Sequence, residues 1–252
     1  MSGLHRSVVA LSLFGILTSS TVAHAQGGVQ FDGANDYVTF GPAPELNSST
    51  FTIELWFYKT GISVSTSSGT GGVNAVPLLT KGRSENDGGL DDVNYFLGFR
   101  ASDNVLCADY EEGTGQTSPG LNHPVTGITS IRNNTWYPSR ATFDGTTWRL
   151  YLNGKLEPTS VVGPGRLPQS ASIQHAGIAT ALTSTGADAG FFAGIIDEVR
   201  IWNYARSAQQ IADNFNLQVA NQAGLIARWA LNEGAGGEIR NAVCGGVNGT
   251  LL

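Results

Sequence analysis

Gly194-Ile195-Ile196-Asp197-Glu198-Val199-Arg200-Ile201-Trp202 reads as a strand that carries a carboxylate where a hydrocarbon would be expected. Strict alternation places Asp197, Val199 and Ile201 on one face, and Glu198, Arg200 and Trp202 on the other. A carboxylate taken out of water costs several kcal/mol unless a cation or several donors meet it, so Asp197 needs a partner. A calcium ion suits, because it takes hard oxygen ligands from carboxylates and backbone carbonyls. Backbone N–H groups at the start of the strand suit equally, and the residues themselves leave both open.

Outward from this segment, short strands dominate. Phe51, Ile53, Leu55 and Phe57 alternate with Thr52, Glu54, Trp56 and Tyr58, the pattern of a strand with two different faces. Val29 to Phe31 and Tyr37 to Phe40 flank a turn-rich stretch, residues 32–36. Leu78 to Lys81, Tyr95 to Arg100 and Val105 to Tyr110 add further strands. Residues 61–74 form a Ser/Thr/Gly-rich insert expected to be a mobile surface loop. Asp144-Gly145 and Asn153-Gly154 favour hairpin turns on either side of Trp148 to Leu152, which predicts a meander. One short helix is predicted near 207–216, with Ser207 as N-cap, Gln210 three residues on, and Ile211 and Phe215 one turn apart. Strand–helix alternation is missing, which excludes parallel α/β folds and leaves an all-β arrangement of two packed antiparallel sheets.

The first 25 residues read as an export signal. Arg6 supplies the positive start, Val8 to Leu17 a short apolar run, and Ala23-His24-Ala25 a small-x-small cleavage site. That run is too short to span a bilayer, and no later stretch approaches the ~20 apolar residues required, so membrane insertion is not expected. The mature chain is expected to begin near Gln26 as a single domain over residues 26–252, secreted, periplasmic or at the cell surface. Without Arg6 it holds 13 basic and 20 acidic residues, a net charge of −7, which excludes nucleic acid as a partner. Cys107 and Cys244 are the two cysteines. In an oxidising compartment they would pair only if their Cβ atoms meet, which sequence separation leaves open.

Five pieces now stand in an order that resembles a known family. They are Phe31-Asp32-Gly33 with Asp36-Tyr37-Val38, Phe51-Thr52-Ile53-Glu54-Leu55-Trp56, Trp136 before Ala141-Thr142-Phe143-Asp144-Gly145, Leu150-Tyr151-Leu152-Asn153-Gly154, and Ile196 to Trp202 with Ala205-Arg206-Ser207. Together they resemble the laminin-G-like, pentraxin-like domains of the concanavalin A-type lectin/glucanase superfamily. The resemblance implies a jelly-roll sandwich of two curved sheets. It also implies a structural calcium ion held by Asp197, Asp32, a backbone carbonyl of Gly33, and Asp36, tying the two ends of the chain together. One departure stands out. The family's Trp-x-His-Val-Ala run reads Trp136-Tyr137-Pro138-Ser139-Arg140-Ala141 here, and Pro138 lacks an N–H, so that strand is expected to begin after it or to lie at an edge. Leu225 to Leu231 is expected to close the domain as an edge strand, since Trp229 and Leu231 would otherwise hang exposed.

Catalytic chemistry finds little support. Glycoside hydrolysis with retention needs two carboxyl groups ~5–5.5 Å apart, and Glu85-Asn86-Asp87 begins such a pattern but Leu90 fills its last position. Glu111-Glu112 lies beside Asp109, and Gly113 ends that strand. The acidic loop with Glu85, Asp87 and Asp92 reads first as a solvated loop and secondly as a further calcium site. Pyranose rings stack on flat aromatic faces, and Trp56, Tyr58 and Tyr151 lie on the phase opposite to their apolar neighbours, which makes them the sugar-binding candidates. The expected function is thus an exported, non-catalytic recognition module for a glycan or a cell-surface protein. A hydrolase or lyase on the same sandwich, and a purely adhesive unit, are the alternatives.

Overall fold

Strands with one apolar face can bury it only against a second such layer, and this chain does so in two antiparallel sheets. The structure is a computed structural model and describes residues 27–219 and 221–252. The expected export signal, residues 1–25, lies outside the described residues. From edge to edge one sheet runs Val29–Asp32, Ala193–Trp202, Phe51–Lys59, Trp136–Phe143, Thr147–Leu152, Lys155–Val161. Leu225–Trp229 shares the outer edge of Ala193–Trp202 with Val29–Asp32. The second sheet runs Glu238–Ile239, Gly249–Leu251, Val38–Gly41, Ala176–Ile178, Asn74–Lys81, Tyr95–Arg100, Val105–Asp109, Val125–Ser130, with Thr66–Ser67 added beside Asn74–Lys81. The fold is an all-β jelly-roll sandwich. Its core lies between the sheets, where Phe51 meets Trp148 at 5.4 Å and Phe57 meets Phe192 edge-on at 6.1 Å.

The strand Ala193–Trp202 corrects the simple alternation expected of it. Asp197 pairs with Trp56, but Arg200 pairs with Glu54, so one extra residue has been inserted between them. Glu198, at φ 51°, takes up that excess. Ile196, Val199 and Ile201 all enter the core. Asp197, opposite Trp56, lies on the outer face with Arg200 and Trp202 rather than with Val199 and Ile201. A bulge of one residue reverses a side-chain period of two, and sequence alternation cannot see it.

Pro138 brings a second correction. It sits inside Trp136–Phe143, a central strand between Phe51–Lys59 and Thr147–Leu152. Its carbonyl accepts from Asn153 N–H at 2.9 Å, so its ring nitrogen faces the same side, where the neighbouring strand is already leaving. Asn153 and Gly154, at φ 53° and 73°, make that departure as a hairpin turn. The missing donor therefore falls where no ladder bond was due.

The predicted helix spans Ala208–Asn214, and Ser207 and Gln210 form the expected reciprocal cap. Residues 61–74 are not a free loop. Val64 bridges Phe191, Thr66–Ser67 pairs with Asn74 and Ala75, and the segment covers Phe96 and Cys107 on the outer face of the second sheet. Leu225–Trp229 pairs at the edge of Ala193–Trp202, with Trp229 buried against Phe40 at 4.1 Å.

Gly194 holds φ 154° where a Cβ would lie 2.2 Å from the Tyr58 carbonyl oxygen. Gly194→Ala should therefore cost roughly 1–3 kcal/mol of stability, read as a lower urea midpoint. An unchanged midpoint would refute this close approach of the two strands.

Candidate functional site

The outer face of the seven-stranded sheet carries three successive cross-strand rows. Arg200, Glu54, Arg140 and Tyr151 form the first, Asp197, Trp56 and Pro138 the second, and Gln30, Ile195, Tyr58 and Trp136 the third. The segment that follows Trp202, including the short helix, folds over the first two rows and leaves the third open.

Glu54 anchors the covered part. Its Oε2 accepts from Arg140 Nε at 2.7 Å, and its Oε1 from Trp202 Nε1 at 2.7 Å and Arg206 Nη1 at 3.2 Å. Arg200 approaches the same carboxylate at 3.5 Å. Burial alone would raise the Glu54 carboxyl, but the three guanidiniums and the indole outweigh it and hold it at about 2. Beside it Glu198 accepts from Arg228 at 2.6 Å and Arg200 at 3.2 Å. The outward ends of these arginines reach the helix and the residues that follow it. Arg206 donates to the Gln210 carbonyl, Arg140 to Phe215, and Arg200 to Leu217. Of these acceptors, Phe215 is the C-cap, whose carbonyl the helix itself leaves without a partner.

Two sequence candidates lie beneath this cover. Trp56 is 6% exposed with its indole N–H on the Phe215 carbonyl at 3.1 Å, and Tyr151 is 2% exposed. They face outward, as alternation required, but the helical segment has taken the surface they would offer a sugar. Tyr58 remains partly exposed and meets the partly exposed Trp136 at 5.4 Å between ring centroids. Trp136 was not among the sequence candidates. Its phase with Pro138 and Arg140 was a usable signal, but that strand was expected to begin beyond it. The residue after Tyr58, Lys59, lines a groove of about 350 Å³ at the end of the sandwich with Ile62, Asn104 and Asn133. Lys59 Nζ lies over the Phe99 ring and bonds Asn104 Oδ1 at 2.8 Å.

The expected calcium ligands are not brought together. Asp32 pairs with Ala193 and Val29 with Ile196, which leaves Asp197 level with Gly28. Four residues of strand, about 13 Å, therefore separate the two carboxylates. Asp32 Oδ1 already accepts from Ala34 N–H at 2.7 Å, and Asp36 Oδ2 from Asp32 N–H at 3.1 Å, a closed turn around Gly33. Asp197 accepts from Glu198 N–H at 2.9 Å, and burial, then the Glu198 charge, pushes its carboxyl up to about 6. These residues do not fit one shared ion.

The acidic loop also divides. Glu85 accepts from Ser184 N–H, Ser184 Oγ and Gln174 Nε2. Asp87 stays exposed, whereas Asp92 turns inward with Oδ1 on Gly88 N–H at 2.7 Å. The cysteines are both free, Cys107 buried under the insert and Cys244 exposed near the C-terminus, so the disulfide is not formed.

Comparison with known proteins follows the fold. The family described as the concanavalin A-like lectin/glucanases superfamily, Laminin_G_3, matches residues 32–212. No curated protein matches. Among solved structures, a Bacteroides ovatus protein assigned as carbohydrate-binding superposes with TM-score 0.61 at 19% identity, covering 89% of this chain. This chain spans 58% of that protein's length. The Ruminococcus gnavus sialidase carbohydrate-binding module CBM40, bound to α2,6-sialyllactose, gives 0.54 at 14% identity, covering 76% of this chain and 97% of the module. The enzymatically active domain of a bacteriophage CBA120 tailspike gives 0.53 at 13% identity, covering 81% of this chain and 30% of its own.

Because Glu54 sits at about 2 when folded, against an ordinary 4.5, its contribution is complete above pH 4.5. It is lost as pH falls towards 2. That difference corresponds to about 3 kcal/mol. Glu54→Gln should cost about 3–5 kcal/mol at neutral pH and flatten the acid limb of the stability curve, both visible in urea titrations from pH 2 to 7.

Proposed function

The chain belongs to the concanavalin A-like lectin/glucanases superfamily, and on that footing we propose that it is a non-catalytic carbohydrate-binding module that works outside the cytoplasm. The partly exposed Tyr58–Trp136 pair, on a row of its sheet face that the helical cover leaves open among the described residues, carries this reading. Two adjacent rings on a rigid strand pair offer a platform to pyranose faces without ordering a loop on binding. Lys59, Asn104 and Asn133 in the adjoining groove supply donors and acceptors for hydroxyl groups at the edge of that platform. The sandwich is shared with carbohydrate-binding proteins, but a fold alone assigns no activity, so the weight rests on these rings.

The carboxylates nearest to a catalytic pattern support binding rather than hydrolysis. Glu85 is held by Ser184 and Gln174. Glu112 accepts from Ser118 N–H, His123 Nε2 and Arg166 Nη1 at 2.5–2.7 Å. Neither is free to approach a glycosidic oxygen. Placement outside the cytoplasm rests on the basic, apolar and small-residue pattern of residues 1–25.

A glycan array should yield a carbohydrate ligand, whose affinity is then measured by calorimetry. Trp136→Ala and Tyr58→Ala should each weaken binding about tenfold, ~1.4 kcal/mol, with little change in melting temperature. Trp56→Ala should instead lower the melting temperature. Equal affinity of the Trp136→Ala variant and the native protein would overturn the platform.

A further inference from the structure

At the far rim of the second sheet, the strand Val105–Asp109 continues into Glu111 and meets Val93, the neighbour of the inward-turned Asp92, and the insert at Ser68 and Gly69. Asp92, Asp109 and Glu111 are each at most 1% exposed. Glu54 and Glu198, equally buried, are met by arginines, and Glu112 by Arg166. Among the described residues, no arginine, lysine or histidine forms an ion pair with Asp92, Asp109 or Glu111.

Neutral donors satisfy part of this cluster. Asp109 accepts from Ser68 Oγ at 2.6 Å, Asn122 Nδ2 at 2.9 Å and Tyr110 N–H at 2.9 Å. Glu111 Oε2 accepts from Val93 N–H at 2.7 Å. Three oxygens are left over: Asp92 Oδ2, Glu111 Oε1 and Asn122 Oδ1 are buried without any donor. Glu111 Oε1 and Asn122 Oδ1 look into the same small space beside Gly69, where a Cβ would stand 2.1 Å from the first and 2.6 Å from the second. Turning the Asn122 amide around would break its bond to Asp109, so its oxygen is committed to that space.

We propose that this space is a binding site for a hard divalent cation of calcium size, ligated by Glu111 Oε1 and Asn122 Oδ1, with Asp92 adding charge and Gly69 leaving room. All the available donors are oxygen, which selects calcium or magnesium over softer metals. No three carboxylate, imidazole or thiol groups gather as a metal cage among the described residues, so water completes the shell. Affinity accordingly falls in the weak range of extracellular modules, on the order of 10⁻⁴–10⁻³ M. The ion sits at the sheet rim beside the insert, independently of the Asp32–Asp36 turn and of the aromatic platform.

The test uses the full chain, stripped with chelator, then titrated with calcium chloride or magnesium chloride by calorimetry and by thermal melting. One site should appear, with a melting temperature about 3–6 °C higher at roughly 10 mM calcium. Glu111→Gln should abolish the calcium response, as should Gly69→Ala, whose Cβ would crowd Glu111 Oε1 and Asn122 Oδ1. Asp32→Asn and Trp136→Ala should keep it. No response to either cation at about 10 mM overturns the proposal, and so does a response that survives in Glu111→Gln or Gly69→Ala. A response lost in Asp32→Asn but kept in Glu111→Gln would move the ion to the opening turn and equally overturn it.

Discussion

Glu54 is a carboxylate buried on the outer face of a sheet, and it can stay there only because three guanidiniums and an indole N–H converge on it. Each of those arginines has more donors than Glu54 can use, and a planar fork that directs the remainder outward. The spare donors meet carbonyls at Gln210, Phe215 and Leu217, which draws the helical segment down onto the sheet. A helix of seven residues, too short to persist by itself, is thereby held in place. Glu54 thus organises both layers: the strands that supply its arginines and the cover those arginines attach.

That cover decides what the protein can present. It extends over the rows of Glu54 and Trp56 and stops short of the row of Tyr58. Along the same strands, therefore, an aromatic two residues away is either part of the packing or available to a ligand. The bulge at Glu198 contributes as well, because it sets Asp197 on the outer face while keeping Ile196, Val199 and Ile201 in the core. Without the inserted residue, the arginine and tryptophan that bind Glu54 would face inwards.

Much of this architecture can be read from residue order. The alternation in Phe51 to Tyr58, the Asn-Gly turn at 153–154, the Ser207–Gln210 cap and the Trp229 strand each express a local preference that the tertiary structure honours. The short strands Val125–Ser130, Ala176–Ile178, Glu238–Ile239 and Gly249–Leu251 left no comparable pattern, since few residues alternate in them. The insert at residues 61–74 looked structureless because its contacts run to Phe191 and to the sheet beneath, not along its own sequence. Site residues were harder still. Alternation correctly turned Trp56, Tyr58 and Tyr151 outward, yet facing outward is not the same as being exposed.

By itself the amino-acid sequence determined an all-β sandwich, its principal strands, its hairpin turns and the residues that leave the core, because those depend on periodicity and turn chemistry within a few neighbours. Only the tertiary structure decided that Asp32 and Asp197 stand apart, that Cys107 and Cys244 do not meet, and that Trp136 beside Tyr58 is the aromatic pair left open. Strand register, a single-residue bulge and the docking of a distant segment set those outcomes. Each is a relation between residues far apart in the chain, on which local preference is silent.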